Sequence, residues 1–397
     1  MPMPIRSRAR SARSIQRDKD ILDAALAEVV HVGLDQLGMH FVARRVGITA
    51  GAVYSRHETP DELAVAVWIE RCQPTMVELL TDVVAVANGT RDGGDLVERV
   101  IGASDSLRVG VEFLALARRR SELYEVIAPD IDALFEWSRL SPSARARLAF
   151  LVGITWGIVL HENVSDGDAD VWRLIMALIV RAMDATSELV DEQWIPELGE
   201  RITSSTGDLL RDALINSALL VIGQVGLQST TASRIGRRAG LTAGAVYTRY
   251  ASKDDLLIDA IRVLLDEAIT DNRPVTDRTV NRVEMGKVAA HLLTRGGGEK
   301  RRPWLRFRLE AYIAASHRRD LAAVLDEIHL GGRERYHRML APAGVKPAVA
   351  DLVALVGQAI PLGLAVLDGF IDDLDTVDFR HVTMPLLGFV ADASGAP

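Results

Sequence analysis

Residues 21–63 of this chain align with residues 214–256 at a constant offset of 193, without a gap, and 17 of the 43 paired positions are identical. Unrelated segments of ordinary composition match at about one position in fifteen, so about three identities are expected by chance. The longest shared block is Thr49-Ala50-Gly51-Ala52-Val53-Tyr54 against Thr242-Ala243-Gly244-Ala245-Val246-Tyr247. A period this long is not that of a solenoid, whose units run about 20 to 50 residues. It predicts two similar halves of domain size, roughly 17–190 and 208–393 of the 397 residues. Between them, 191–207 reads as a linker, where Trp194 and Pro196 are followed by Thr203-Ser204-Ser205-Thr206-Gly207.

Each half opens on the same local pattern. Apolar residues at Ile21, Leu22, Ala25, Leu26 and Val29, matched by Leu214, Ile215, Ala218, Leu219 and Ile222, form one stripe of a helix. Gly33 and Gly226 stand where such a helix should stop. A short second helix is predicted with Val42 and Val46, or Ile235 and Ala239, on its inner side, and Gly47 or Gly240 gives the turn after it. Thr49 or Thr242 can cap a third helix. A fourth starts at Thr59-Pro60-Asp61-Glu62, a capping box with proline at the first helical position, or at Ser252-Lys253-Asp254-Asp255. With aromatics at only 5%, an all-helical chain is favoured over a β-sandwich.

Helix, short helix, glycine turn and short helix make a helix-turn-helix arrangement. The stretch from Ile215 through Thr230-Thr231, Arg237-Arg238-Ala239-Gly240, Gly244, Val246-Tyr247, Tyr250, Ser252-Lys253 and Leu256 resembles the DNA-binding domain of TetR-family transcriptional regulators. The resemblance implies an all-α protein that normally works as a homodimer. Here two TetR-like halves on one chain imply a covalent pseudo-dimer, alone or as a homodimer of chains. The implied plan is a basic flexible arm at 1–16, helix-turn-helix domains at 17–64 and 208–257, and helical regulatory domains at 65–190 and 258–393. It also implies a repressor in the bacterial cytoplasm, on the nucleoid, released from DNA by a small effector.

Net charge is −8, which alone argues against a polyanionic partner. Its distribution argues otherwise: residues 1–60 carry nine Lys/Arg against six Asp/Glu, and residues 208–256 carry six against four, so the rest of the chain is strongly acidic. Ala50, Gly51 and Ala52, with Ala243, Gly244 and Ala245, are small enough for the third helix to approach a major groove closely. Thr49 and Thr242 can reach a base edge or phosphate. Tyr54 and Tyr247 can donate to a phosphate or serve the fold, and Arg56 and Arg249 can bind phosphate or guanine. Arg44, Arg45, Arg237 and Arg238 lie on the second helix, as backbone contacts or a solvated face. Lys253 adds a cation at the start of the fourth helix. Val53 and Val246 are core.

The copies differ. Leu37-Gly38 stands where the second half has Thr230-Thr231, His57 where it has Tyr250, and Pro60 where it has Lys253. The first reader should therefore grip phosphates more weakly. An arm bearing Arg6, Arg8, Arg10, Arg13, Arg17 and Lys19 either compensates by lying along a groove or is a solubilising tail. The shared six-residue block predicts similar half-sites, hence a pseudo-palindromic double-stranded DNA operator.

Apolar helices expected at 144–162, 168–186, 348–369 and 377–391 are candidates to pack as four between the halves. The purest apolar run, Leu148–Leu160, and the longest, Leu352–Leu367 with Gln358 and Pro361 inside it, are too short for a membrane span, which needs about 18 to 20 residues. An apolar effector pocket is expected around Trp156 and His161, and around Trp304, Tyr312 and His317. Cys72 excludes an internal disulfide or a Cys-clustered zinc site and reads as core. The basic start has no apolar stretch behind it, so no secretory signal is expected. Asp166-Gly167-Asp168-Ala169-Asp170 fails as a calcium loop, since Val171 stands at position six and Ala177 at position twelve. Gly296-Gly297-Gly298-Glu299-Lys300 lacks the spacing of a phosphate loop and reads as a flexible connector. No cofactor, metal or catalytic constellation is expected. The rival to a DNA-binding regulator is a helical scaffold with degenerate helix-turn-helix domains.

Overall fold

The computed structural model describes residues 12–165, 169–185, 200–276, 282–341 and 345–394, and every regular element among them is a helix. The first half holds α1 (Ala12–Val32), α2 (Met39–Val46), α3 (Ala50–Tyr54), α4 (Pro60–Val67), α5 (Gln73–Ala87), α6 (Gly94–Ile101), α7 (Asp105–Ala117), α8 (Ser121–Phe135), α9 (Pro142–Glu162) and α10 (Ala169–Asp184). The second holds α11 (Leu209–Val225), α12 (Ala232–Arg238), α13 (Ala243–Arg249), α14 (Lys253–Thr276), α15 (Arg282–Gly297), α16 (Arg302–Ser316), α17 (Arg319–Leu340), α18 (Pro347–Leu367) and α19 (Arg380–Ser394). Helices α1–α4 and α11–α14 carry the repeated sequence. A π turn, Trp68–Cys72, joins α4 to α5 where the second half runs on as α14.

The local chemistry explains the breaks. Gly47 and Gly240 adopt φ of 73° and 71°, which a side chain would resist, and so turn the chain from α2 into α3 and from α12 into α13. Thr59 caps α4 by accepting from the Glu62 N–H at 3.0 Å, and Ser252 accepts from Asp255 at 3.1 Å. Thr231 caps α12, whereas Gly38 before α2 offers no side-chain cap, as the Leu37-Gly38 substitution predicts. Ile21, Ala25, Val29, Val42 and Val53 are wholly buried or nearly so, as are Leu214, Ile215, Ala218, Ile235 and Val246. Burying Val53 or Val246 contributes on the order of 2 kcal/mol to its three-helix unit.

The long apolar helices meet across the halves. α9 packs along α18, and α10 along α19. Glycines set how closely: a Cβ on Gly363 would overlap the Gly153 backbone, and one on Gly157 the Ala359 backbone. Both α9 and α18 have 21 residues, longer than their apolar runs, and by length and composition could cross a membrane. Here each is mostly buried by the other and by the surrounding helices.

Three expectations change. Helix α1 already begins at Ala12, so Arg13, Arg17 and Lys19 project from a helix rather than an arm, while Arg6, Arg8 and Arg10 lie outside the described residues. The end of the linker is ordered, because Asp212 accepts from Ser204, Thr206 and Gly207. Gly296 and Gly297 belong to α15 rather than to a connector. Asp166, Gly167 and Asp168 lie outside the described residues.

Candidate nucleic-acid interface

In the second reader, α12 and α13 present an open cationic surface. Arg237 and Arg238 are exposed at the end of α12 and have no ion-pair partner among the described residues. Thr242 precedes α13 without capping it, so its hydroxyl is uncommitted. Gly244 is exposed, with Ala243 half-buried before it, and Tyr247 is 60% exposed. Arg249 is exposed and lies 3.5 Å from Asp208, a loose pair in solvent.

The first reader repeats this surface with more of it tied down. The Thr49 hydroxyl accepts from the Ala52 N–H at 3.3 Å. Gly51 is exposed, Ala50 is half-buried, and Tyr54 is 43% exposed with its ring edge-on to His40. Arg44 is exposed and stands over the Phe41 ring, while Arg45 bonds Glu28 at 3.2 Å.

Four expected contacts are corrected. Arg56 is held by Asp18 at 2.6 Å and by the Ala52 carbonyl at 2.8 Å, which neutralises it inside the reader. Tyr250 is 7% exposed and donates to Asp259 at 2.7 Å, so it braces α14. Burial first, then Asp259, pushes its hydroxyl up, and it stays protonated. Lys253 donates to the Leu227 and Thr230 carbonyls at 3.2 Å, closing the loop before α12. His57 is half-buried, and burial, ahead of the opposing carboxylates Glu62 and Asp18, lowers its pKa. It is a neutral group near pH 7. Sequence reading passed over two exposed counterparts, Phe41 and Arg234, which occupy the same repeat position with opposite chemistry. Comparing non-identical pairs would have found them.

Each reader is anchored, at the glycine that ends its first helix, by the other half. Arg119, just past α7, donates to Asp35 at 3.0 Å and to Glu310 of α16 at 3.0 and 3.2 Å. Its guanidinium rests on Gly226 (φ 79°), where a Cβ would lie 2.7 Å from it. Arg118 donates to the Gly223 carbonyl at 3.0 Å, and Arg120 bonds Asp35 and Asp61. At the other anchor, Glu112 of α7 accepts from the Leu34 N–H at 2.7 Å and meets His317 at 2.8 Å. His317 packs on Gly33 (φ 86°), and Arg318 bonds Asp254 at 2.9 Å. Asp35 is mostly buried, which would raise its pKa, but Arg119 and Arg120 more than offset this and hold it low. Glu310 is fully buried, which raises its pKa against the pull of Arg119 and Arg118.

Two of the residues expected around an effector, His161 and Tyr312, converge on one buried histidine, whereas His317 lies elsewhere. Trp156 and His161 are buried, with His161 stacked on His329 at 4.6 Å and Tyr312 bonded to that same His329. Burial, then His161, drives His329 down to about 2, so it is uncharged. Trp304 packs on Phe307, and His317 belongs to the anchor just described. None of these five lines the cleft the structure does contain. That cleft, with a cavity volume of about 20 Å³, lies among α15, α16, α18 and the start of α19 and is walled by Leu292, Leu293, Leu305, Pro361, Leu364 and Phe379. Cys72 is buried in the π turn, and burial pushes its thiol up to about 12. Among the described residues, no group of three or more His, Cys, Asp or Glu side chains could hold a metal ion.

Residues 214–260 match the family model described as bacterial regulatory proteins, tetR family. The chain is 27% identical over 176 residues to the HTH-type transcriptional regulator BetI of Agrobacterium fabrum, covering 42% of this chain and 85% of that protein. It is 41% identical over 61 residues to BetI of Rhizobium meliloti, covering 15% of this chain and 30% of that protein. Over 74 residues it is 31% identical to the HTH-type transcriptional repressor KstR2 of Mycobacterium tuberculosis, covering 19% of this chain and 37% of that protein.

Proposed function

We propose that this chain, supported as a TetR-family, non-enzymatic transcriptional regulator by those matches, is a tandem form that clamps duplex DNA with two helix-turn-helix readers. One observation carries the reading. Within the matched segment, Arg237 and Arg238 stand exposed, without an ion pair among the described residues, beside a short helix that Thr242 precedes and whose outer face carries Gly244 and Tyr247. Small residues let that helix enter a major groove, and the arginines meet the flanking phosphates. The reciprocal anchors support two halves related as subunits of a dimer are. Glu112 and Glu310, Arg119 and His317, and Arg120 and Arg318 each stand 198 residues apart, and each anchor crosses to the opposite half. Such self-complementary pairing is the signature of an isologous interface.

The operator is then an inverted repeat, read mainly by the second reader. A small apolar effector would have to open the cleft walled by Leu292, Leu305 and Phe379, which has room for about one water molecule. Its binding shifts the readers apart and releases DNA, so the chain represses in the cytoplasm until the effector arrives. The test is fluorescence anisotropy on the duplex upstream of the chain's own gene, with a scrambled duplex as control. Specific binding that Arg237→Ala/Arg238→Ala weakens is expected. Equal affinity for both duplexes would instead favour a scaffold with degenerate readers.

A further inference from the structure

Arg119 touches three parts of the molecule that must be coordinated if two readers are to act together. Its fork holds Asp35, in the turn between α1 and α2 of the first reader. Its other edge holds Glu310 on α16 of the opposite half, and its flat face lies on Gly226, where α11 of the second reader ends. All three of its nitrogens are committed, and its side chain and that of Glu310 are 11% and 2% exposed. A bidentate arginine fixes distance and angle together, which a point-charge lysine does not. The twin anchor does the same with less grip: His317 lies on Gly33 and reaches Glu112, which also accepts from the Leu34 N–H. Gln228 stands at the repeat position of Asp35, so this anchor has no second carboxylate there.

Both anchors sit at the glycine from which a reader swings, and neither touches the exposed faces of α3 or α13. We propose that Arg119, with Asp35 and Glu310, and His317, with Glu112, set the separation of the two readers and so determine which half-site spacing the chain accepts. These are positioning residues for spacing, while the third helices read bases. The inference rests on the DNA-binding reading above.

The test is sequence selection from a pool of random 40-base-pair duplexes, scoring half-site consensus and spacer length separately. Wild type should return paired half-sites at one dominant spacing. Arg119→Ala and Glu310→Gln should spread the spacing over neighbouring lengths, with about a five-fold drop in the preference for the dominant one, and leave the consensus unchanged. Arg119→Lys should fall between, and His317→Ala should act in the same sense but less. Where Arg119→Ala has lost its helical circular dichroism, Arg119→Lys and His317→Ala decide. Unchanged sharpness of spacing in the folded variants overturns the proposal, and so does loss of all selection by a folded variant. Selection of nothing by wild type would instead overturn the DNA-binding reading itself.

Discussion

The two readers share one six-residue block and differ in what surrounds it. In the second, Thr242 is uncommitted, Arg237 and Arg238 make no ion pair among the described residues, and Arg249 is only loosely paired. In the first, Thr49 caps its own helix, Asp18 occupies Arg56, and Glu28 holds Arg45. Phe41 even replaces the exposed Arg234. Identical recognition residues can therefore be mounted on frames that differ in available charge. On the DNA-binding reading proposed above, base preference and binding strength separate: the shared block would carry the first, its neighbours the second.

The largest expected effect tests that separation directly. Arg237→Ala/Arg238→Ala should weaken DNA binding by at least about ten-fold and flatten the salt dependence by about two phosphates, as measured by anisotropy between 50 and 200 mM salt. Arg44→Ala/Arg45→Ala should cost about three-fold; equal losses would erase the comparison. Next, Thr231→Ala removes a cap that the first reader lacks, and should lower stability by about 1 kcal/mol in urea unfolding. Asp18→Asn should sharpen the comparison from the weak side. It frees Arg56 and should raise affinity about two-fold, by an amount that salt suppresses.

The smallest effect concerns the anchors. Despite burial, which lowers it, the Glu112 bond and charge leave the His317 pKa raised. A raised imidazole contributes stability below its unfolded pKa of about 6.5 and loses it as pH climbs through the folded value. Above that range, amide exchange at Leu34 should quicken, beyond the rise intrinsic to alkaline pH. The Arg119 anchor cannot lose its charge there, so the Gly226 side should show no matching change. Equal loosening of both sides would count against the histidine as its cause.

The readers were legible because their signals are local. Gly47 and Gly240, the Thr59 and Thr231 caps and the apolar stripes act within a few residues, and the helices follow them. Tyr250, Lys253 and Arg56 escaped because their partners, Asp259, Leu227 and Asp18, are chosen by packing rather than by spacing. The anchors escaped for a stronger reason. Arg119 and Glu310 are separated by 191 residues and belong to no motif. The helices outside the readers are specified mainly by apolarity, which many packings satisfy. Their long apolar runs foretold burial, yet did not reveal that a small cleft would lie by Gly296 and Gly297.

Gly157 lies against the Ala359 main chain and Gly363 against the Gly153 main chain, with no side chain between. Two rods touching this way have no compressible padding, so they cannot be driven closer. Drawing them apart would expose the apolar flanks of both. What is left is pivoting about the crossing, which changes angles at small cost near the fulcrum and large displacement far from it. A disturbance beside α18 would thus reach the distant ends of the molecule as leverage.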